Sequence, residues 1–297
     1  MRLRSLPEFE YMVPKDVNEV CSVLQQHAER AKVLAGGTDL LIHMKHRVLT
    51  PRYLIGLKNL SDLDRVSYKE GQGLRLGPLV THESIVGDRV IQERFGALWT
   101  ACSKVGTPNI RNMGTLGGNL CNAAPSADTA PPLIACQALV KVMGLAGERS
   151  LPLENFFLGP GKTALQPGEI LVEIDVPCPP PRSGMVYVKL PVRTAVDMAA
   201  VGVAVFITVD ANNDACQEVR IALGAVAPTP IRARRAEEIM RGEKITEPVI
   251  QKAAQIASEE SCPRSGSIRA SVEYRCSMVE VLTKRAIRQV LAQVRSF

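Results

Sequence analysis

Apolar positions near the start of the chain follow two alternating rhythms. Over residues 14–30, Val17, Val20, Val23, Leu24 and Ala28 recur at helical spacing behind Asp16, a residue suited to cap a helix. Lys32-Val33-Leu34-Ala35 is a short apolar strand that runs into Gly36-Gly37-Thr38. Asp39 to Arg47 then reads as a short helix, and Tyr53 to Leu57 as a second buried strand. Helix, strand, turn, helix, strand is the order of an α/β unit.

Further along, Leu74 to Gly77 reads as a strand, while Thr81 to Val86 and Val90 to Lys104 read as helices. Residues 105–126 break the rhythm: Pro108, Asn109, Asn112, Gly114, Gly117, Gly118, Asn119 and Asn122 are too many for a regular helix, yet charges are few. Such a stretch reads as backbone packed against a ligand. An apolar run over 129–143 reads as helix then strand, and Ile170 to Val176 as a strand. Pro177 to Gly184, with four prolines, is the clearest linker, since proline cannot donate to a sheet ladder.

Beyond it, Met185 to Lys189, Ala199 to Val209 and Glu218 to Gly224 read as strands, with Asn212-Asn213-Asp214 as the turn between the last two. The pattern turns helical after Pro228 and Pro230. Thr246 and Pro248 suit a helix start. Ile268, Val272, Val279, Leu282, Ile287, Val290, Leu291 and Val294 make an amphipathic stripe for a long final helix. The expected class is α+β: an N-terminal domain over 1–177, with subdomains of about 1–57 and 58–177, then a C-terminal domain over 185–297 with three antiparallel strands and a helical bundle.

Composition narrows the function classes. Aromatics are 4% of the 297 residues and the net charge is +6 without a polybasic run, which disfavours a nucleic-acid platform. Glu8 and Glu10 interrupt any secretion signal, and no apolar stretch is long enough to span a membrane, so a cytoplasmic protein is expected. The eight cysteines are scattered, with no zinc or iron–sulfur spacing, and read as buried free thiols.

Two Gly-rich turns carry the chemistry: Ala35-Gly36-Gly37-Thr38-Asp39-Leu40 and Gly114-Thr115-Leu116-Gly117-Gly118-Asn119-Leu120. Glycine lets backbone N–H groups approach a phosphate, and successive N–H groups form an anion nest. Each alone reads first as a tight turn after a strand. Together they suit a diphosphate. Neither is the Rossmann fingerprint, and neither is followed by a phosphate-loop lysine.

These turns, with Ile110-Arg111-Asn112-Met113 before the second and Cys121 to Pro131 after it, resemble the FAD-binding medium subunit of the xanthine dehydrogenase and carbon monoxide dehydrogenase family, the molybdenum hydroxylases. Gly168-Glu169-Ile170-Leu171 and Glu273-Tyr274-Arg275 resemble the same family. The resemblance implies a PCMH-like fold with FAD between two α/β subdomains. It implies a first phosphate loop of Leu34, Ala35, Gly36, Gly37, Thr38, Asp39 and Leu40, and a second of Gly114, Thr115, Gly117, Gly118 and Asn119. Asp128 would hold ribose or ribityl hydroxyls, and Lys189 would approach the isoalloxazine, where a cation stabilises the reduced flavin's negative charge. The alternatives stay open: Asp128 or Asp39 as a helix cap, Lys189 as a solvated strand residue.

Departures from the family pattern matter too. Relatives that attach FAD covalently use a His or Cys; the first loop has Thr38, so FAD is expected to be non-covalent. Val105 and Gly106 stand where some relatives place an aromatic residue against the flavin. No Cys-rich loop follows the second turn, so no iron–sulfur cluster is expected in this chain; the resemblance implies molybdenum–pterin in a large partner subunit and [2Fe–2S] clusters in a small one. The implied function is electron transfer from those clusters to an external acceptor, with no catalytic residue acting on the organic substrate. The alternatives are a stand-alone flavin oxidoreductase and a non-catalytic nucleotide-binding protein.

Overall fold

Three principal sheets, each backed by helices, form the chain in the computed structural model, which describes residues 5–192, 196–210, 215–267 and 270–295. The first holds β1 (Glu10–Met12), α1 (Val17–His27), β2 (Ala31–Leu34), α2 (Leu40–Lys45) and β3 (Tyr53–Gly56). β3 lies between β1 and β2 and is parallel to both, with the helices as connections. α1 starts with a reciprocal cap: Asp16 accepts from the Glu19 amide at 2.8 Å, and Glu19 accepts from the Lys15 amide at 2.7 Å. Its buried Val20, Cys21 and Val23 pack on Ala31, Ile55 and Leu57. β1 escaped the sequence reading because three residues are too few to show alternation.

The second unit holds β4 (Val66–Lys69), β5 (Gly73–Leu76), α3 (His82–Gly87), α4 (Arg89–Arg94), α5 (Gly96–Ser103), α6 (Pro108–Met113), α7 (Leu116–Cys121), α8 (Ala130–Ala135), β6 (Leu139–Gly144), β7 (Gly147–Pro152), β8 (Phe157–Gly159), β9 (Lys162–Thr163) and β10 (Ile170–Val176). Its main sheet runs β4-β5-β10-β6-β7 with antiparallel pairs. Two expectations need correction here. The single helix expected over Val90 to Lys104 is two, divided at buried Phe95, whose ψ of 42° leaves the helical range. Residues 105–126 are not wholly irregular: they contain α6 and α7. Each begins with a threonine hydroxyl that accepts from the amide three residues on, Thr107 from Ile110 at 3.3 Å and Thr115 from Gly118 at 3.0 Å. These caps offset the poor helix propensity of the glycines and asparagines.

The third unit holds β11 (Ser183–Pro191), β12 (Ala199–Val209), β13 (Cys216–Gly224), β14 (Ile231–Arg232), α9 (Arg234–Met240), α10 (Glu247–Glu260) and α11 (Val272–Arg295). The antiparallel sheet has the three expected strands plus the two-residue β14. Thr246 sits at the cap of α10 with proline in the first turn, but its hydroxyl makes no capping bond. The turn expected at Asn212-Asn213-Asp214 and the stripe position Ile268 lie outside the described residues.

β12 is buried along its whole length because both faces are covered. Val201, Val203, Val205 and Ile207 face the core shared with α10 and α11, while Ala204 and Phe206 join the core of the second unit. Alternation on β11 does the same: Val186 and Val188 pack toward the helices, and Tyr187 toward the second unit. The sheet therefore presents one face of β11 to α5 and α8, and that face carries the chemistry below. A polar strut reinforces the junction: buried Arg220 on β13 donates to exposed Gln137 at 2.5 Å, its guanidinium 3.8 Å from the centre of the Phe206 ring.

Candidate functional site

The first Gly-rich turn leaves β2 and enters α2. Gly37 has φ of +72°, which only glycine adopts without strain. The backbone N–H groups of Gly36, Gly37, Thr38 and Asp39 donate to nothing among the described residues, and neither does the Thr38 hydroxyl. Asp39 occupies the cap position of α2, but its carboxylate makes no capping bond, so the simple cap reading fails for its side chain. Four free amides and a hydroxyl in one turn form a site for anionic oxygens. Leu34 ends β2 and accepts from the Leu57 amide at 3.1 Å, and Leu40 starts α2.

The second turn is built differently. The amides of Leu116, Gly117, Gly118 and Asn119 already have partners: Val80 and Pro78 carbonyls, the Thr115 hydroxyl oxygen and the Thr115 carbonyl. Gly117 is glycine because a Cβ there would collide with the Pro78 ring. What this segment can offer a ligand is side-chain chemistry. Thr115 accepts from Gly118 and keeps its O–H to donate. Asn119 Oδ1 accepts from the Thr129 hydroxyl at 2.6 Å, and its side-chain N–H groups have no partner among the described residues.

The fold brings the two turns together. A Cβ on Gly36 would collide with the Met113 carbonyl oxygen and fall 3.1 Å from Gly114 Cα. A Cβ on Gly118 would meet the Thr115 hydroxyl at 2.8 Å and Ala35 at 4.0 Å. Behind them lies His82, whose amide donates to the Gly114 carbonyl at 3.0 Å. Its ring is 2% exposed, its Nδ1 has no partner, and burial with Arg111 nearby pushes its pKa down to about 4.

Asp128 and Lys189 form a second cluster. Lys189 Nζ donates to Asp128 Oδ2 at 2.7 Å and to the Lys104 carbonyl at 3.0 Å. The side chains are 4% and 8% exposed, so Lys189 is not a solvated strand residue. The other Asp128 oxygen accepts from the Tyr187 hydroxyl at 2.7 Å, so the carboxylate caps no helix. Burial raises the Asp128 pKa, and Lys189 opposes the shift. Val105 and Gly106 follow Lys104 directly and so border this cluster; Gly106 has φ of +43°. Asp128 is joined to the second turn through its neighbour Thr129, the partner of Asn119.

Tyr187, Thr129 and His82 were not singled out from the sequence. Only Tyr187 left a signal, as it precedes Lys189 by two positions on a strand and so shares its face. Among the described residues no group of three His, Cys, Asp or Glu could hold a metal, and no helix is long and apolar enough to cross a membrane. The eight cysteines are unpaired as expected, but only Cys21, Cys102, Cys136 and Cys216 are buried; Cys121, Cys178 and Cys276 are half-buried and Cys262 is exposed.

Known proteins share this architecture. The family described as the FAD binding domain in molybdopterin dehydrogenase matches residues 7–179, and the CO dehydrogenase flavoprotein C-terminal domain matches residues 186–290. The chain is 35% identical over 265 residues to a xanthine dehydrogenase FAD-binding subunit of Escherichia coli O157:H7, covering 89% of each chain. It is 33% identical to the carbon monoxide dehydrogenase medium chain of Hydrogenophaga pseudoflava, covering 97% of this chain and 98% of that one. The solved carbon monoxide dehydrogenase of that organism superposes with a TM-score of 0.92 at 33% identity, over 97% of this chain and 99% of its own. Fold and site together define a flavoprotein subunit of an oxidoreductase. The chain belongs to the FAD-binding medium-subunit family of the xanthine and carbon monoxide dehydrogenases, as its motifs implied. Its cofactor is FAD. The paired turns fit that group, with free amides at Gly36 to Asp39 for phosphate oxygens and a buried cation at Lys189.

Proposed function

We propose that this chain is the electron-transfer subunit of a molybdenum hydroxylase complex. Electrons arrive from [2Fe–2S] clusters of a small subunit, after release from substrate at a molybdenum–pterin centre in a large subunit, and leave to an external acceptor. When bound, FAD supplies redox chemistry that no side chain has. The observation that carries the reading is the meeting of the two turns at Gly36 and Gly114, with four free amides beside them.

In this reading the amides of Gly36, Gly37, Thr38 and Asp39 and the side chains of Thr38, Thr115 and Asn119 hold the pyrophosphate. Leu34, Ala35, Leu40, Gly114, Gly117 and Gly118 shape that cradle, and Val105 and Gly106 border the ring. Asp128 has both oxygens engaged by Tyr187 and Lys189, which supports a role in orienting the lysine rather than in reaching first for a hydroxyl. Lys189 would stand beside the bound cofactor as a cation able to balance negative charge there. No residue here acts on the organic substrate. The reading divides the chain into domains at 1–177 and 185–297 and places the complex in the cytoplasm.

The test is purification with its neighbours in the assembly. The chain should co-purify with a molybdopterin-binding and an iron–sulfur subunit, and substrate should reduce its flavin only when both are present. Rapid flavin reduction by an organic substrate with the chain alone would instead establish a stand-alone flavoenzyme.

A further inference from the structure

We propose that Tyr187 is a positioning residue: its phenol fixes Asp128 so that Lys189 presents its remaining N–H to the flavin. This rests on the placement of Lys189 beside the cofactor given above. Tyr187 and Lys189 lie two apart on β11 and point to the same face. Their strand partners on β12 are Ala204 and Gly202. A Cβ on Gly202 would lie 2.8 Å from the Tyr187 hydroxyl oxygen, so the absence of a side chain there makes room for the phenol.

The phenol is 3% exposed as a residue and donates to Asp128 Oδ1 at 2.7 Å. Burial first, and Asp128 second, hold its pKa well above the usual tyrosine value, so it stays a donor. With Oδ1 held, the carboxylate plane cannot rotate freely, and Oδ2 has one direction in which to meet Lys189. An ammonium has three N–H donors. Asp128 and the Lys104 carbonyl take two of them, and the third has no partner among the described residues. Two fixed bonds from separate elements, the end of α5 and the loop before α8, therefore aim the third. Without the phenol, one Asp128 oxygen is released and that aim loosens, though the charge remains.

Tyr187→Phe removes the donor and keeps the ring packed over Gly202. The experiment is a spectroelectrochemical titration of the full chain loaded with FAD, with Tyr187→Phe, Gly202→Ala and Lys189→Met compared against the parent. Tyr187→Phe should keep its flavin but bind the reduced form about tenfold less tightly relative to the oxidised form, a fall of ~30 mV. Gly202→Ala should move the potential in the same direction, and Lys189→Met at least as far. If a variant loses flavin on purification, the ratio of Kd values for oxidised and reduced FAD reads the same quantity. An unchanged ratio in Tyr187→Phe, with a shift in Lys189→Met, overturns the positioning role and leaves Lys189 at the flavin. An unchanged ratio in both removes Lys189 from the site, and the role of Tyr187 falls with it.

Discussion

Removing either member of the Asp128–Lys189 pair tests how the two halves of the chain are held. Asp128 belongs to the loop before α8 and Lys189 to β11, so the pair joins the second unit to the C-terminal sheet. With side chains 8% and 4% exposed, water cannot replace a lost partner. Breaking such a pair by removing one charge costs about 3–5 kcal/mol, because the other charge is left buried. Asp128→Asn should fall near the low end, since Lys189 keeps the Lys104 carbonyl. Lys189→Met should cost roughly 1–3 kcal/mol, because Asp128 keeps its bond from Tyr187 and can take up a proton. The double variant should be less destabilised than the sum of the singles by at least ~1 kcal/mol. Urea unfolding of the flavin-free full chain, followed by the fluorescence of its one tryptophan, Trp99 on α5, measures all three. The pH dependence has a definite sign. Burial holds the Asp128 pKa above the ordinary carboxylate value, and loss of Lys189 raises it further. A carboxyl whose folded pKa exceeds its unfolded value loses stability as pH rises between the two. Lys189→Met should therefore recover toward the parent as pH falls through that window. Additive single effects, or a Lys189→Met deficit that deepens on acidification, would refute the buried-pair account.

Gly36→Ala should weaken FAD binding at least tenfold, about 1.4 kcal/mol, because its Cβ would collide with the Met113 carbonyl and force the turns apart; parental affinity by fluorescence titration would show that the close approach is dispensable. Acid or heat should release intact FAD without proteolysis, and flavin retained by the denatured chain would establish a covalent bond. His82, held near pKa 4 against an ordinary 6.5, should cost roughly 3 kcal/mol of stability as pH falls between those values, since the unfolded chain binds the extra proton; His82→Phe should flatten this acid limb in urea titrations. Glu237→Gln should destabilise the C-terminal unit by about 3–5 kcal/mol, because it strands Arg232, 9% exposed, while FAD affinity stays unchanged.

Periodicity made much of this fold legible. The helical spacing of Val17 to Leu24, the apolar strands around Leu34 and Leu54, the long β12 and the stripe of α11 are local patterns that burial imposes on any chain. The two Gly-rich turns were equally visible, since backbone approach demands glycine where it occurs. Short elements such as β1 and β14 were not, because two or three residues carry no period. α6 and α7 were hidden by their own glycines and asparagines, whose low propensity is offset by caps. The sequence also could not distinguish an open nest from a closed one: both turns look alike, yet the amides of Gly36 to Asp39 are free while those of Leu116 to Asn119 are engaged. Nor could it pair Asp128 with Tyr187 and Lys189, which lie 59 and 61 positions away. Local pattern records which face of an element is buried, whereas a contact across such separations exists only after the sheet of β11 and β12 has packed against α5 and α8. That packing decides whether a lysine on a strand is a solvated charge or a buried one.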